Sequence, residues 1–502
     1  MNDLRRLAAG VICGGFAAKE IDAALEAKLR KLPLAGVTIF GGNIETVAQT
    51  RALTDRLREV VPSPVIAIDQ EGGRVARLRE GVEVIPSMMA VAATRDAQLA
   101  ERAGAQIAFD LRRVGVNLNF APVLDLALYR MNTVIGTRSF GDDPGEVTRL
   151  AGALARGLED GGIPATFKHF PGHGSTAIDS HLNLPVIDLD EATLRARDLR
   201  PFAALLPRAA AVMTAHIVVN SLDRDRPATL SRRILTQLLR EDLGFTGVCF
   251  TDCLQMDAIA KGAGSEAGAV AALGAGADCL LVSHDLDLAE AIAGAVASAV
   301  ESGKLPRARL EEAHSRVLAL RNRLQEPLPL EAQAPFEGIG ETIGLRAVTL
   351  LRGDPRVDPH ASIALSFEGA TVEGAQGAHS AHASLSDFAR IQTVALPLEP
   401  EDAALDAALL RASGLRPVVL MRRAHIYARQ KAAVERILDA RPDAVVVSLR
   451  EPYDALEFTR AQAVLCTYSD ERPSIAGLAA VLFDGAPARG SIPLHGVPVA
   501  GP

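Results

Sequence analysis

The sequence predicts a (β/α)8 barrel of the TIM type, followed by a smaller α/β domain with sandwich-like layers. Three observations lead to this fold class. Short apolar runs bounded by Gly, Pro or Asp recur eight times in the first two thirds of the chain. Longer helical patterns separate these runs, and a second strand–helix series follows a Pro- and Gly-rich stretch. An open, doubly wound sheet is the alternative that counting strands leaves open.

The eight strand-like runs of the first part are short and partly β-branched, as buried parallel strands are. They cover residues 9–13, 36–40, 65–69, 116–120, 165–169, 211–216, 248–252 and 278–282. Helical patterns between or after them cover residues 47–60, 97–114, 144–160, 230–241 and 288–302. Eight such alternations in one stretch of chain favour a barrel over an open sheet.

The best domain boundary follows a charged helical pattern over residues 310–324, where Pro327, Pro329 and Pro335 interrupt the periodicity. We therefore expect a barrel domain at 1–325, a linker at 326–344 and a C-terminal α/β domain at 345–502. The latter has strand-like runs at 363–367, 393–396, 417–421, 444–449 and 463–468, and a helical pattern at 428–439. The tail from residue 485 is expected to form a final strand with a loose end.

Composition limits the function classes. The 502 residues are 48% hydrophobic and carry a formal net charge of -8, which gives no sequence-wide attraction to nucleic acid or to an anionic membrane surface. We find no apolar run of about 20 residues that would span a membrane. The five cysteines are odd in number and lie mostly in apolar runs, which indicates reduced thiols and a cytoplasmic protein. The short apolar stretch near the N-terminus is interrupted by glycines, so we interpret it as part of the fold and not as a signal peptide.

Polar residues follow most of the predicted barrel strands. The active site of such a barrel lies at the carboxyl ends of its strands, so these residues are the first candidates for chemistry. A single residue of this kind is more often a cap or a turn former, but a consistent set indicates a site. The set comprises Asp69, Asp125, Lys168, His169, His216, Asp252, Ser283 and His284.

The densest polar segment is 168–181, which follows the fifth predicted strand. Asp179 and His181 lie two residues apart there, so the carboxylate can orient the imidazole and raise its basicity, as in a general acid/base pair. His169 and His173 have the spacing of two zinc ligands on a helix, but the intervening Pro and Gly residues disfavour a helix. Metal binding is therefore the lesser alternative. Another alternative is that Asp179 and His181 only stabilise the loop.

Two further segments suit chemistry on a polar substrate. Asp252 ends an apolar strand as a single carboxylate, which suits a nucleophile or a stabiliser of a cationic transition state, and the structural alternative is a cap of the next helix. Segment 69–77 combines carboxylates, two glycines and arginines, which are suitable partners for sugar hydroxyls and an acetamide. It does not match the phosphate-binding P-loop pattern.

Five motifs together resemble glycoside hydrolase family 3. They are Asp-Gln-Glu-Gly-Gly-Arg at 69–74, Phe-Ala-Pro-Val-Leu-Asp at 120–125, Lys-His-Phe-Pro-Gly-His-Gly at 168–174, Asp-Ser-His at 179–181 and Thr-Asp at 251–252. The Asp-Ser-His motif resembles the β-N-acetylglucosaminidase branch in particular. The resemblance is strong over the barrel and weak over the second domain. Ser175 departs from it, because family members often carry Asp at this point of the loop.

The resemblance implies roles for individual residues. Asp252 would be the nucleophile, His181 the acid/base and Asp179 its orienting partner. The sugar-binding positions would be Asp69, Arg77, Arg138, Lys168 and His169. No metal and no cofactor are implied, and the expected partner is a small carbohydrate that contains N-acetylglucosamine, with no nucleic acid or membrane.

The implied reaction is removal of terminal β-linked N-acetylglucosamine with retention, on muropeptide fragments or on chitin oligosaccharides. Several alternatives stay open at this stage. A family 3 β-glucosidase or other exo-glycosidase, and an N-acetylglucosamine phosphorylase, are the nearest. A metal-dependent barrel hydrolase using His169, His173 and His181, and a sugar-binding protein without catalysis, come from other classes. The sequence sets no oligomeric state.

Overall fold

The computed structural model describes residues 3–176, 184–325, 334–369 and 383–495. The predicted acid/base pair, Asp179 and His181, lies outside these described residues. Among the helices of the described ranges, none combines the length and the hydropathy needed to cross a membrane.

Eight parallel strands form the framework of the first part of the chain. They are β1 Ile12–Gly14, β2 Gly36–Ile39, β3 Val65–Ile68, β4 Leu118–Asn119, β5 Thr166–Phe170, β6 Ala211–Thr214, β7 Val248–Phe250 and β8 Leu280–Leu281. Five of them pair in the order β8-β1-β2-β3-β4, and three pair in the order β7-β6-β5. Every pair among these eight strands is parallel, as expected when helical crossovers connect successive strands.

The predicted mixed α/β fold is confirmed, but the predicted closed barrel is not formed as one continuous sheet. The ladder is interrupted at two places, where only isolated parallel bridges occur. They are Asn119 to Ala165 and Val123 to Lys168 at the first place, and Phe250 to Cys279 at the second. The regular parts of β4 and β8 contain only two residues each, which pair in ladders with β3 and β1, and their other sides make isolated bridges only.

Helices alternate with these strands and cover them. They are α1 Asp3–Ala9, α2 Ala23–Lys31, α3 Val47–Val60, α4 Met88–Ala93, α5 Ala97–Arg113, α6 Pro144–Asp160, α7 Glu191–Ala196, α8 Arg200–Leu205, α9 Asp257–Ala260, α10 Ser265–Ala275, α11 Leu286–Glu301 and α12 Arg307–Arg323. A π-helix spans Arg233–Asp242, where an α-helical pattern was predicted over 230–241. The first strand begins later than predicted because α1 occupies the residues up to Ala9.

Helices α5 and α6 pack unusually closely. A Cβ atom on Gly104 would lie 2.1 Å from the carbonyl oxygen of Leu154, and one on Gly157 would lie 1.9 Å from that of Glu101. Real side chains do not tolerate such distances, so glycine at these two positions lets the two backbones touch. The two helices lead into the amino ends of β4 and β5, so their close packing holds these neighbouring strands side by side.

The second part of the chain forms a six-stranded sheet. Its strands are β9 Thr349–Arg352, β10 Ser362–Glu368, β11 Gln392–Pro397, β12 Arg416–Met421, β13 Val445–Ser448 and β14 Ala463–Cys466. Their order is β9-β14-β13-β12-β10-β11, and only β9 pairs in an antiparallel manner. Helices α13 Ile339–Ala347, α14 Asp402–Arg411, α15 Ala428–Ala440, α16 Tyr453–Glu457 and α17 Arg472–Phe483 accompany the sheet.

Both faces of this sheet are buried, because alternate residues of each strand enter two different apolar clusters. Leu365 and Val419 lie in one cluster, whereas Ala364 and Val418 lie in the other. The five predicted strands of this part are confirmed within a few residues. The edge strand β9 was not predicted.

The expected final strand after residue 485 is wrong for the described part of the tail. Residues 486–495 run without regular structure along both parts of the chain. Gly490 N donates to Val348 O at 2.9 Å, and Ser491 N donates to Ala93 O at 2.9 Å. The tail thus gives its backbone hydrogen bonds to the junction of the two parts and not to a sheet edge.

Candidate active site

A buried lysine joins two carboxylates at the carboxyl ends of β3 and β5. Asp69 follows β3 directly, and Lys168 lies within β5. The Lys168 Nζ atom is 2.7 Å from Asp69 Oδ1 and 2.6 Å from Glu71 Oε1. The Lys168 side chain is only 2% exposed, whereas the Asp69 side chain keeps 18% of its surface open. Asp69 is therefore the member of this group that a ligand can reach.

Arg138 extends the cluster from the other side. Its Nε and Nη2 atoms each lie 2.8 Å from a different oxygen of Glu71, a bidentate pair that fixes the plane of the guanidinium group. Arg77 Nη2 lies 3.4 Å from Asp69 Oδ2. Glu71 was not among the predicted site residues. Its motif carries two carboxylates two positions apart, and the sequence does not say which one is buried beneath the other.

His169 is oriented by Asp125, which follows β4. The Nδ1 atom of His169 lies 2.6 Å from Asp125 Oδ2, and its Nε2 atom lies 3.4 Å from Arg138 Nη2. A guanidinium group only donates, so His169 Nε2 accepts the hydrogen bond from Arg138. The proton of the neutral imidazole is then on Nδ1, which donates a hydrogen bond to Asp125. Asp125 also accepts the backbone N–H of His173 at 2.6 Å. The sequence placed Asp125 at a strand end but gave it no role, and its role is to hold this imidazole.

The electrostatics of the cluster favour fully charged carboxylates. Burial alone would raise the pKa of Asp69, but Lys168 and Arg77 outweigh burial and lower it. Glu71 behaves in the same way, because Arg138 and Lys168 hold its pKa well below the usual range. Burial alone would lower the pKa of Arg138, but the negative charge of Glu71 outweighs burial and raises it.

Asp125 and His173 complete the electrostatic description. Burial would raise the pKa of Asp125, and the charge and hydrogen bond of His169 lower it. Burial lowers the pKa of His173 to about 4, so this imidazole is neutral near pH 7.

Asp252 lies at the same end of the parallel strands, after β7. Its backbone N–H donates to Thr214 Oγ1 at 3.3 Å, at the end of the neighbouring strand β6. Its Oδ1 accepts the backbone N–H of Cys253 at 2.7 Å, which fixes one carboxylate oxygen. The side chain is half-buried. Asp252 is thus carried to the strand ends that also hold Lys168 and His169, as predicted.

Two other strand-end candidates, His216 and His284, contact neighbouring segments of the chain. His216 is buried, and its Nε2 atom donates to the carbonyl oxygen of Cys253 at 3.0 Å. It thereby holds the turn that follows Asp252. His284 is exposed and lies against the Phe40 ring, with ring centroids 4.5 Å apart.

The loop that leads towards Asp179 and His181 is described as far as residue 176. Ser175, the residue that departs from the family pattern, lies 2.5 Å through its Oγ atom from Asp198 Oδ1 and accepts from Arg197 Nη2 at 2.8 Å. This serine therefore anchors the described start of the loop. Within the described ranges, we find no set of three or more His, Cys, Asp and Glu side chains that is arranged to hold a metal ion.

Comparison with known proteins adds three findings. Residues 5–320 match the Glycosyl hydrolase family 3 N terminal domain. A Beta-hexosaminidase of Pseudomonas aeruginosa is 41% identical over 306 residues, which cover 61% of this chain and 90% of that protein. A glycoside hydrolase family 3 β-N-acetylglucosaminidase from Paenibacillus sp. str. FPU-7 superposes with a TM-score of 0.91 at 32% identity, over 98% of this chain and 99% of that one.

Proposed function

Because the chain belongs to glycosyl hydrolase family 3 and is a glycoside hydrolase, we propose that it is a retaining exo-β-N-acetylglucosaminidase. Its substrate would be a terminal β-linked N-acetylglucosamine. The observation that carries this proposal is the cluster of Asp69, Lys168, Arg138 and His169, which presents fixed donors and acceptors beside the strand end of Asp252. Such a set suits a neutral polyhydroxylated ligand.

In this proposal the eight parallel strands act as a (β/α)8 barrel that occupies residues 1–325, and residues 345–502 form a separate domain after a linker. Asp252 attacks the anomeric carbon, and a covalent glycosyl-enzyme forms. His181 protonates the leaving oxygen and then deprotonates water, while Asp179 orients the imidazole. Arg77, together with the cluster, binds the sugar of the glycone subsite.

The fixed geometry around Asp69 gives this assignment its physical basis. Lys168 and Arg77 keep the carboxylate ionised, so both of its oxygens accept hydrogen bonds from sugar hydroxyls. Lys168 is held by Glu71 as well, so it does not need to reorganise when a ligand binds. The similarity to proteins named Beta-hexosaminidase supports N-acetylglucosamine over glucose as the sugar.

We further propose that the natural substrates are muropeptide fragments and that the enzyme works in the cytoplasm. All five cysteines are free thiols, and four of them are buried in apolar surroundings. Burial raises the pKa of Cys13 and of Cys249 to about 12, so these thiols are inert towards oxidation at neutral pH. An unpaired set of this kind fits a reducing compartment.

The test is Asp252→Ala, assayed with an aryl β-N-acetylglucosaminide and an aryl β-glucoside. We expect wild-type protein to prefer the N-acetylglucosaminide, and the variant to lose turnover by at least about 10⁴-fold because the covalent step is removed. Asp257→Asn, which changes a nearby carboxylate paired with Lys261 at the surface, serves as the control. Normal turnover by Asp252→Ala would contradict the assignment.

Two additional assays address the alternatives. A chelator should leave the activity unchanged, whereas loss of activity would favour a metal-dependent hydrolase. Addition of inorganic phosphate tests whether phosphate replaces water as the acceptor. A glycosyl phosphate product in place of the free sugar would make the enzyme a phosphorylase.

A further inference from the structure

One barrel segment, residues 127–136, connects the sugar-binding cluster to the second domain. We call it the bridging segment. It lies in the chain between Asp125, which orients His169, and Arg138, which pairs with Glu71. The Arg138 guanidinium also donates to Val134 O of this segment at 3.1 Å, and its backbone N–H donates to Ile135 O at 2.9 Å. The position of Arg138 therefore depends on the path of the bridging segment.

The second domain holds the bridging segment at several points. Arg423, which follows β12, donates through Nη2 to Thr133 O at 3.2 Å. The same guanidinium pairs with both oxygens of Glu451, at 2.9 and 3.1 Å, and this pair is buried. Because Glu451 fixes Arg423, the donor that reaches Thr133 is preorganised.

A second contact comes from the next turn of the same domain. His425 Nδ1 lies 2.6 Å from Asp454 Oδ1, and its Nε2 atom donates to Arg130 O at 3.1 Å. Gly136 allows the close approach on this side. Its φ is 43°, and a Cβ atom there would lie 2.1 Å from Glu451 Oε1. Any larger residue would push the bridging segment away from the second domain.

Asn132 connects the bridging segment to the turn at His173. Its Oδ1 accepts the backbone N–H groups of Val134 and Ile135 at 3.1 and 3.0 Å. Its Nδ2 donates to the carbonyl oxygen of His173 at 3.0 Å. The Asn132 side chain is buried, so loss of one of these hydrogen bonds would leave a buried polar group unsatisfied and would lower the stability of the folded state.

From these contacts we infer that Asn132 is a positioning residue, and that the second domain sets the activity of the barrel through the bridging segment. Arg423 and His425 hold the segment, and Asn132 joins it to the turn at His173, whose backbone N–H binds Asp125. The second domain thus acts on Arg138 and on the Asp125–His169 pair without contacting the sugar. The inference rests on the proposed sugar-binding role of these residues.

The experiment compares two conservative variants. Asn132→Asp keeps the acceptor for Val134 and Ile135 but places an oxygen opposite the His173 carbonyl. Arg423→Lys keeps a positive charge beside Glu451 but loses the fork that also reaches Thr133. We expect each variant to lower kcat/KM by about 10-fold and to weaken the binding of N-acetylglucosamine, measured by calorimetry, by a similar factor.

The control is Arg460→Lys, which changes an arginine that binds Glu435 and Asp439 within the second domain only. It should stay within about twofold of wild type in both measurements. The double variant Asn132→Asp/Arg423→Lys should lose less than the product of the two single losses, since both act through the bridging segment. Wild-type values for either single variant, or independent losses in the double variant, would overturn the inference.

Two precautions keep the outcome decisive. If Arg423→Lys does not fold, His425→Asn takes its place, because it keeps a donor for Asp454 and loses the reach to Arg130 O. If wild-type protein hydrolyses the aryl glucoside and not the N-acetylglucosaminide, the proposed substrate fails. The variants are then compared on the glucoside, with glucose as the binding ligand. This comparison tests the positioning role of Asn132 separately from the identity of the substrate.

Discussion

Both parts of the described chain gather charged side chains at the carboxyl ends of their parallel strands, yet the two clusters differ in what they contact. In the first part of the chain, Lys168 lies beneath Asp69, whose side chain remains partly open. In the second domain, Arg422 is buried with Asp470, and its Nη1 atom donates to Phe367 O at 2.6 Å. Strand-end placement therefore predicts where charge collects, whereas an open carboxylate above a buried cation marks a binding site.

The strongest test of this comparison is Lys168→Met in the cluster of the first part of the chain. The change keeps the length of the side chain but removes the cation that Asp69 and Glu71 share, so that each carboxylate keeps only its arginine, Arg77 or Arg138. We expect a loss of about 3–5 kcal/mol in the free energy of unfolding, measured with urea. We also expect kcat/KM to fall by about 100-fold in the fraction that stays folded. Unchanged activity would remove this cluster from the glycone subsite.

Arg422→Met makes the matched change in the second domain. It leaves Asp470 with Arg450, whose Nε atom lies 3.2 Å from the same oxygen, so the carboxylate keeps one partner. We expect a loss of about 3 kcal/mol in the free energy of unfolding and little change in kcat/KM of the folded protein. A loss of activity as large as that of Lys168→Met would show that the two clusters do not differ in the way described.

The pH dependence of stability should have opposite signs in the two regions. The folded pKa of His173 is lowered to about 4, so the unfolded chain binds more protons and stability falls as the pH drops from 6.5 towards 4. Burial raises the pKa of Glu471, in the second domain, to about 7 against the pull of Arg79. For this group the folded state binds more protons, so stability falls as the pH rises from 4.5 towards 7.

Thermal unfolding of His173→Asn and Glu471→Gln across pH 4.5–7 separates these contributions. Relative to wild type, Glu471→Gln should gain stability with rising pH, by an amount on the order of 2 kcal/mol at the upper end. His173→Asn should instead gain as the pH is lowered. Parallel profiles for the two variants would mean that neither group titrates as described.

The sequence predicted the architecture well where the hydrophobic periodicity is strong and one face of a helix is regularly polar. Helices α3 and α6 have the predicted bounds, because long amphipathic patterns with capping residues define both ends. The closure of the sheet was not predictable in detail. It depends on how many residues of β4 and β8 pair on each side, and apolar runs of similar composition do not reveal this.

For the site, the residue types at strand ends predicted Asp69, Lys168, His169 and Asp252 as candidates, whereas the side chains that contact them are known only from the folded structure. Glu71 and Asn132 act through contacts with residues far away in sequence, such as Arg138 and His173. A glutamate or an asparagine at such a position is as compatible with an exposed loop as with a buried hydrogen bond. The roles of Asp179 and His181 stay predictions, because both residues lie outside the described ranges.

The balance of charge in the cluster around Lys168 has a consequence for how a ligand reaches it. Asp69, Glu71 and Asp125 are offset by Lys168, Arg77 and Arg138 within a few ångströms. Paired charges of this kind project little field beyond the site, and dissolved salt screens mainly the field that extends into solvent. The association rate of an anionic glycoside should consequently depend only weakly on ionic strength.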